Sequence, residues 1–109
     1  MANRYKNANF DLTTADVTDV YTCPSESRAI IQNIHAANTS GGNTEIKAFI
    51  YDNSASRAYQ FAEHTVNAGD SRSMSDGPVI LEENDKLQLS AASGNIFEGT
   101  VSILEFDRT

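Results

Sequence analysis

Apolar residues recur at every second position along most of this chain, in short runs broken by polar turns. Val79 and Leu81 alternate with Ile80 and Glu82, and Leu87 and Leu89 alternate with Lys86, Gln88 and Ser90. The two runs flank Glu83-Asn84-Asp85, which predicts a β-hairpin. Asn tolerates the left-handed backbone of a tight turn, and Asp can accept bonds from neighbouring amides. Pro78 suits the first residue of a strand, where its missing N–H harms no ladder. Residues 45–52 predict another strand, with Ile46, Ala48 and Ile50 on one side and Lys47, Phe49 and Tyr51 on the other. Apolar groups on both sides predict that its outer face is covered, by a loop or a partner. Residues 96–106 read likewise, with Phe97, Val101 and Ile103 opposite Thr100, Ser102 and Leu104.

The remaining runs are less regular. Residues 28–38 hold Ile30, Ile31, Ile34, Ala36 and Ala37. The three isoleucines also fit one helical face, but β-branched content and the flanking turns favour a strand. Residues 58–66 read as a strand through Tyr59, Phe61 and Ala62, and residues 71–75 as a brief edge strand or loop. Val17, Val20 and Tyr21 mark a strand that ends at Cys23-Pro24. Residues 1–10 form either a first strand or an extended N-terminal arm. About eight short strands with turns every 8–12 residues predict an all-β fold. The expected form is an antiparallel β-sandwich, jelly-roll or immunoglobulin-like, in a single domain spanning residues 1–109.

Charge narrows the range of partners. Fifteen acidic against 8 basic residues give a formal charge of −7, and no Lys/Arg cluster offers a footprint for nucleic acid. No run approaches the ~18 apolar residues of a membrane helix. The start, Met1-Ala-Asn-Arg-Tyr-Lys, lacks the apolar core of a secretory signal, so synthesis and folding in a cytoplasm are expected. On that expectation the glycosylation sequon at Asn38-Thr-Ser is a chance match.

Candidate chemistry is sparse. Cys23 is the lone cysteine, which rules out an intramolecular disulfide, and no histidine base stands in register with it. His35 and His64 lack metal-ligand spacing; His35 reads as a strand histidine with a structural bond, and Glu63-His64 as a surface pair able to titrate together. Glu82, Glu83 and Asp85 crowd one turn and admit a weak calcium site, although the spacing of a dedicated calcium loop is missing. Exposed aromatics on a sandwich admit a sugar site, but there is no tryptophan. No catalytic, cofactor or metal residues are assigned, and the chain is expected not to be an enzyme. Arg4, Tyr5, Lys6 and Phe10 are the candidate protein–protein contacts near the start, since Tyr and Arg dominate contact energies. Phe49 and Tyr51 are the candidates on the outer face of their strand.

A series of motifs carries a resemblance. It comprises Met1-Ala-Asn-Arg-Tyr-Lys, Val20-Tyr-Thr-Cys-Pro24, Arg28-Ala-Ile-Ile-Gln-Asn-Ile-His-Ala-Ala-Asn38 and Ile46-Lys-Ala-Phe-Ile-Tyr-Asp52. Asp76-Gly-Pro-Val-Ile-Leu-Glu-Glu-Asn-Asp85 and Gly99-Thr-Val-Ser-Ile-Leu-Glu105 complete it. Over nearly its whole length the chain resembles small β-sandwich virion structural proteins of tailed bacteriophages, those of cyanobacterial hosts included. Asn84 departs from the Gly that such proteins often carry in that turn. The resemblance implies a capsid decoration (cement) protein located in the virion and made in the host cytoplasm. It would act as a homotrimer bound to the major capsid protein, with a trimer ring burying Phe49 and Tyr51. A neck, tail or fibre-adaptor component is the alternative, and a sugar- or calcium-binding sandwich module the second.

Overall fold

The computed structural model describes residues 3–107; Met1 and Ala2 of the expected arm lie outside them. The described chain is all-β, with nine strands: β1 (Asn3–Asp11), β2 (Thr18–Thr22), β3 (Ser27–Asn38), β4 (Thr44–Asp52), β5 (Arg57–Val66), β6 (Ser71–Ser73), β7 (Val79–Leu81), β8 (Lys86–Ala91) and β9 (Phe97–Asp107). One sheet has the order β1-β9-β3-β6, with β7 also on β3; the other has β2-β8-β4-β5. β6 and β7 pair with opposite ends of the same β3 edge and together fill one strand's place. Counted so, eight strands wind between two four-stranded sheets. Every connection but β4–β5 and the β6–β7 interruption crosses from one sheet to the other. That order is a jelly roll, which decides between the two topologies the sequence left open.

The inner faces follow from alternation. Ala29, Ile31, Ile34, Ala36, Phe97, Val101 and Ile103 from the first sheet meet Ile46, Ala48, Leu87 and Leu89 from the second, all buried. The helix-like spacing of Ile31 and Ile34 has a structural cause. A bulge between Ile31 and Asn33 leaves Gln32 over, so residues three apart both point inward. Inside β9, Gly99 is the place where backbones and a ring converge. A Cβ there would overlap the His35 carbonyl oxygen and the Phe10 ring, which lies where a side chain would otherwise be.

The hairpin expected around Glu83-Asn84-Asp85 does not form. β7 pairs with β3 and β8 with β2 and β4, so the segment is an arch between sheets rather than a turn within one. The turn chemistry is as expected, with Asn84 at φ +68°, but its bonds run elsewhere. The Asp85 carboxylate accepts from the Glu82 amide and from the Asn53 amide, each at 3.0 Å. Its backbone carbonyl accepts from the Cys23 amide at 2.9 Å, and the Asn84 amide donates to the Cys23 carbonyl at 2.8 Å. The arch is therefore tied to the turns after β2 and β4. A hairpin ladder would leave those amides unmet.

Two substitutions test this packing. Gly99→Ala is expected to lower the free energy of unfolding by roughly 1–3 kcal/mol, the cost of forcing atoms into a packed core. Asp85→Ala is expected to cost roughly 2–4 kcal/mol, since two amides lose their acceptor together, with Asp85→Asn losing less because one carbonyl oxygen remains. Urea unfolding followed by circular dichroism measures both.

Candidate functional site

Asn3–Asp11 of β1 pairs residue for residue with β9, without a bulge. Alternation therefore divides the contact candidates near the start. Phe10 is 8 % exposed and belongs to the core, so it anchors the strand instead of reaching a partner. Arg4 and Lys6 lie on the side that faces the second sheet. There the Lys6 ammonium sits 3.3 Å from the Glu105 carboxylate. Tyr5 points the opposite way and is 79 % exposed, more than any other large apolar side chain among the described residues.

Tyr5 does not stand alone on that outer face. It is the cross-strand partner of Leu104, Leu104 of Ile30, and Ile30 of Ile80. One register row thus runs straight across β1, β9, β3 and β7, and it is apolar at every position. Leu104 and Ile30 are half-buried, while Ile80 at the far end is 65 % exposed. The flanking rows are Asn3–Phe106–Arg28 on one side and Asn7–Ser102–Asn33 on the other. The carboxylate that reaches this area, Glu82, is 3.5 Å from the Arg28 guanidinium. Exposed apolar residues on a monomeric protein are usually scattered singly, and here two exposed ones close a continuous apolar row.

The outer face of the second sheet differs. Phe49 and Tyr51 are half-buried there, among side chains of their own sheet. The Lys86 ammonium stands 5.5 Å from the Tyr51 ring centroid and 3.3 Å from Asp19, and Gln88 beside Phe49 donates to Asp19 at 2.8 Å. On the edge strand β5, Tyr59 and Phe61 are exposed. The Arg57 guanidinium lies 4.5 Å from the Tyr59 centroid and takes the ring face that a sugar would stack on. Phe61 lines a groove of about 500 Å³ with His64, Met74 and Pro78, between β5 and the β6–β7 interruption.

The groups considered for chemistry are occupied structurally. Cys23 is fully buried, and its thiol donates to the Ser27 carbonyl oxygen at 3.5 Å. Burial first, then the nearby Glu105 carboxylate, pushes its pKa up to about 11, which suppresses the thiolate that nucleophilic attack needs. His35 bonds to the Asn33 amide at 2.9 Å on the exposed face. Glu63 accepts from Gln60, and strand alternation turns it away from His64. Of the turn carboxylates, Glu83 accepts from the Glu26 amide at 2.6 Å, Asp85 holds the arch, and Glu82 pairs with Arg28. Asn38, the sequon residue, is 2 % exposed. Its amide group donates to the carbonyls of Gly42 and Val66 and accepts from Ser40.

One buried cluster escaped the sequence reading. Glu105 points inward between the sheets, nearly closed to solvent, and accepts a hydrogen bond from the Tyr21 hydroxyl. A bulge between Asp19 and Tyr21 turns Tyr21 inward so that it can reach. Its only sequence signal is a Glu among the apolar residues of a strand, at a position where alternation calls for a core side chain. Burial, then the bond to Glu105, raises the Tyr21 pKa. Cys23 and Tyr21 thus both hold their protons more tightly in the fold than in the unfolded chain. Their contribution to stability is therefore complete below about pH 9, the ordinary thiol value, and falls as pH rises past it. Tyr21→Phe is expected to make that alkaline loss shallower and to cost about 1–2 kcal/mol at pH 7. Urea midpoints between pH 7 and 11 measure both effects.

No protein-family model matches the chain, and no characterised protein matches it in sequence. Its fold recurs in solved structures. A chain of the acid-stable capsid of Helicobacter pylori bacteriophage KHP30 aligns over 100 % of this chain and 90 % of its own length, with TM-score 0.60 at 11 % identity. A chain of the Bacillus endospore appendages, a family of disulfide-linked pili, aligns over 99 % and 88 %, with TM-score 0.59 at 12 % identity. A chain of the T13 particle of the icosahedral virus IBDV matches with TM-score 0.60 at 10 % identity, over 94 % of this chain but 30 % of the viral one. At these identities the likeness is one of fold.

Proposed function

We propose that the protein is a non-enzymatic structural component of a phage virion, acting as a capsid decoration (cement) protein. It would bind the assembled head, through the major capsid protein, as a homo-oligomer, with three copies the expected number. The observation that carries this reading is the apolar row Tyr5–Leu104–Ile30–Ile80, exposed at both ends on a chain of charge −7. Such a surface serves protein contact, and the acidic remainder keeps the free protein soluble. The jelly-roll fold, shared with chains of viral capsids and a pilus, supports an assembly role. The engaged state of Cys23, Glu82, Glu83 and Asp85 supports a scaffold rather than catalysis or calcium capture. Arg57 stacked on Tyr59 weighs against sugar binding through that ring.

Light scattering on a sizing column, followed by co-sedimentation with purified heads of the encoding phage, tests the reading. A trimer that saturates the heads at a fixed ratio is the expected result. A ring of six or twelve that leaves heads unbound would instead assign the protein to a neck, tail or fibre adaptor. A monomer that binds no virion part would overturn the proposal and return a stand-alone binding module to the front.

A further inference from the structure

We infer that copies of this chain meet through the outer face of the β1-β9-β3-β7 sheet, with Tyr5 of one copy against Ile80 of the next. This deepens the assembly reading above by naming its interface, and it rests on homo-oligomerisation but not on where the assembly sits.

Three observations favour a second copy as the occupant. The first is charge. Two copies of a chain at −7 repel unless the meeting surface carries little charge of its own. Around the row, the three successive ranks from Asn3–Phe106–Arg28 to Asn7–Ser102–Asn33 carry one charged side chain, Arg28, already paired with Glu82, while the acidic pair Asp11 and Glu98 stands two ranks further on, at the end of the face. The other sheet's outer face presents Asp19, Lys47, Glu63 and Lys86 at cross-strand positions. The second is the shape of the row. Its two ends stand out, with Tyr5 79 % and Ile80 65 % exposed, while Leu104 and Ile30 between them are half-buried. A two-fold axis along the strands lays each raised end on the other. A three-fold ring with these faces turned inward brings the same two ends together side by side. In either closed assembly Tyr5 meets Ile80, and no apolar end is left over to propagate a filament.

The third is size. β1, β9 and β3, about nine residues each at ~3.3 Å and ~4.8 Å apart, with the three-residue β7 beside them, give a face of roughly 500 Å² in projection. A stable interface takes about 800 Å² of accessible surface per partner, and accessible area exceeds projected area on a face studded with side chains. Edge-to-edge pairing is a poorer route to assembly. β1 turns Lys6 inward beside its open edge, and β5 is bulged at Phe61, both of which obstruct the addition of a strand.

The same geometry supplies the test. Tyr5 and Ile80 lie three strand spacings apart within one chain, roughly 14 Å, beyond the ~7 Å Cα separation that a disulfide spans. Tyr5→Cys/Ile80→Cys can therefore close disulfides only between copies, and Cys23 is buried out of reach. Mild oxidation of the folded double variant is expected to give covalent dimers or trimers on a non-reducing gel, their number counting the copies. Each single variant is expected to stay monomeric on that gel. Ile80→Lys, at an exposed position that folding tolerates, should move self-association to at least tenfold higher concentration in light scattering, with the circular dichroism spectrum unchanged. A wild-type protein that stays monomeric at every concentration would overturn the inference. So would an oligomer that survives Ile80→Lys, or one in which the double variant fails to cross-link. Cross-linking as expected together with no binding to heads would defeat the cement reading and leave this interface standing.

Discussion

One carboxylate fixes one end of the sandwich. Asp85 follows an arch that carries the chain from one sheet to the other, and its oxygens take the amides of Glu82 and Asn53 while its backbone holds Cys23. Three turns, after β2, β4 and β7, are thereby bound to a single residue. A jelly roll needs such a device, because most of its connections pass between sheets and cannot satisfy their amides in a local ladder. At the opposite end Asn38 does similar work, bonding Gly42, Ser40 and Val66 through its side chain and Gly69 and Asp70 through its backbone. Between these two latches the apolar inner faces close on each other.

The polar groups that sequence inspection singles out for chemistry are largely used for this architecture. A carboxylate that accepts two backbone amides has few lone pairs left for a cation, and a thiol bonded to a carbonyl in a closed core meets no substrate. Glu105 shows the same economy at the sheet margin. Left alone it would be a buried charge of high cost, but with Tyr21 and Lys6 it links β9 to both β2 and β1. The lysine that neutralises it also occupies the inner side of an edge strand, where it discourages a stray chain from pairing.

Alternation and turn composition are local properties, so strand positions were legible along the chain. The inward sets Ile46, Ala48 and Phe97, Val101, Ile103 fell where a period of two put them, and Asn84 adopts the left-handed turn that its residue type permits. Bulges interrupt that legibility. At Gln32 one extra residue makes Ile31 and Ile34 neighbours on a face, and a helical spacing appears inside a strand. Tyr21 reaches Glu105 for the same reason, through a bulge that no period announces.

Strand pairing is non-local. The run from Val79 to Leu89 has all the marks of a hairpin, yet its halves belong to opposite sheets, because Asp85 finds better partners across the sandwich than along it. The apolar row is likewise invisible in one dimension. Tyr5, Ile30, Ile80 and Leu104 are scattered over a hundred residues, two of them exposed and two half-buried. Only the register of four strands sets them in one row, since which residues stand abreast depends on pairings made between distant parts of the chain.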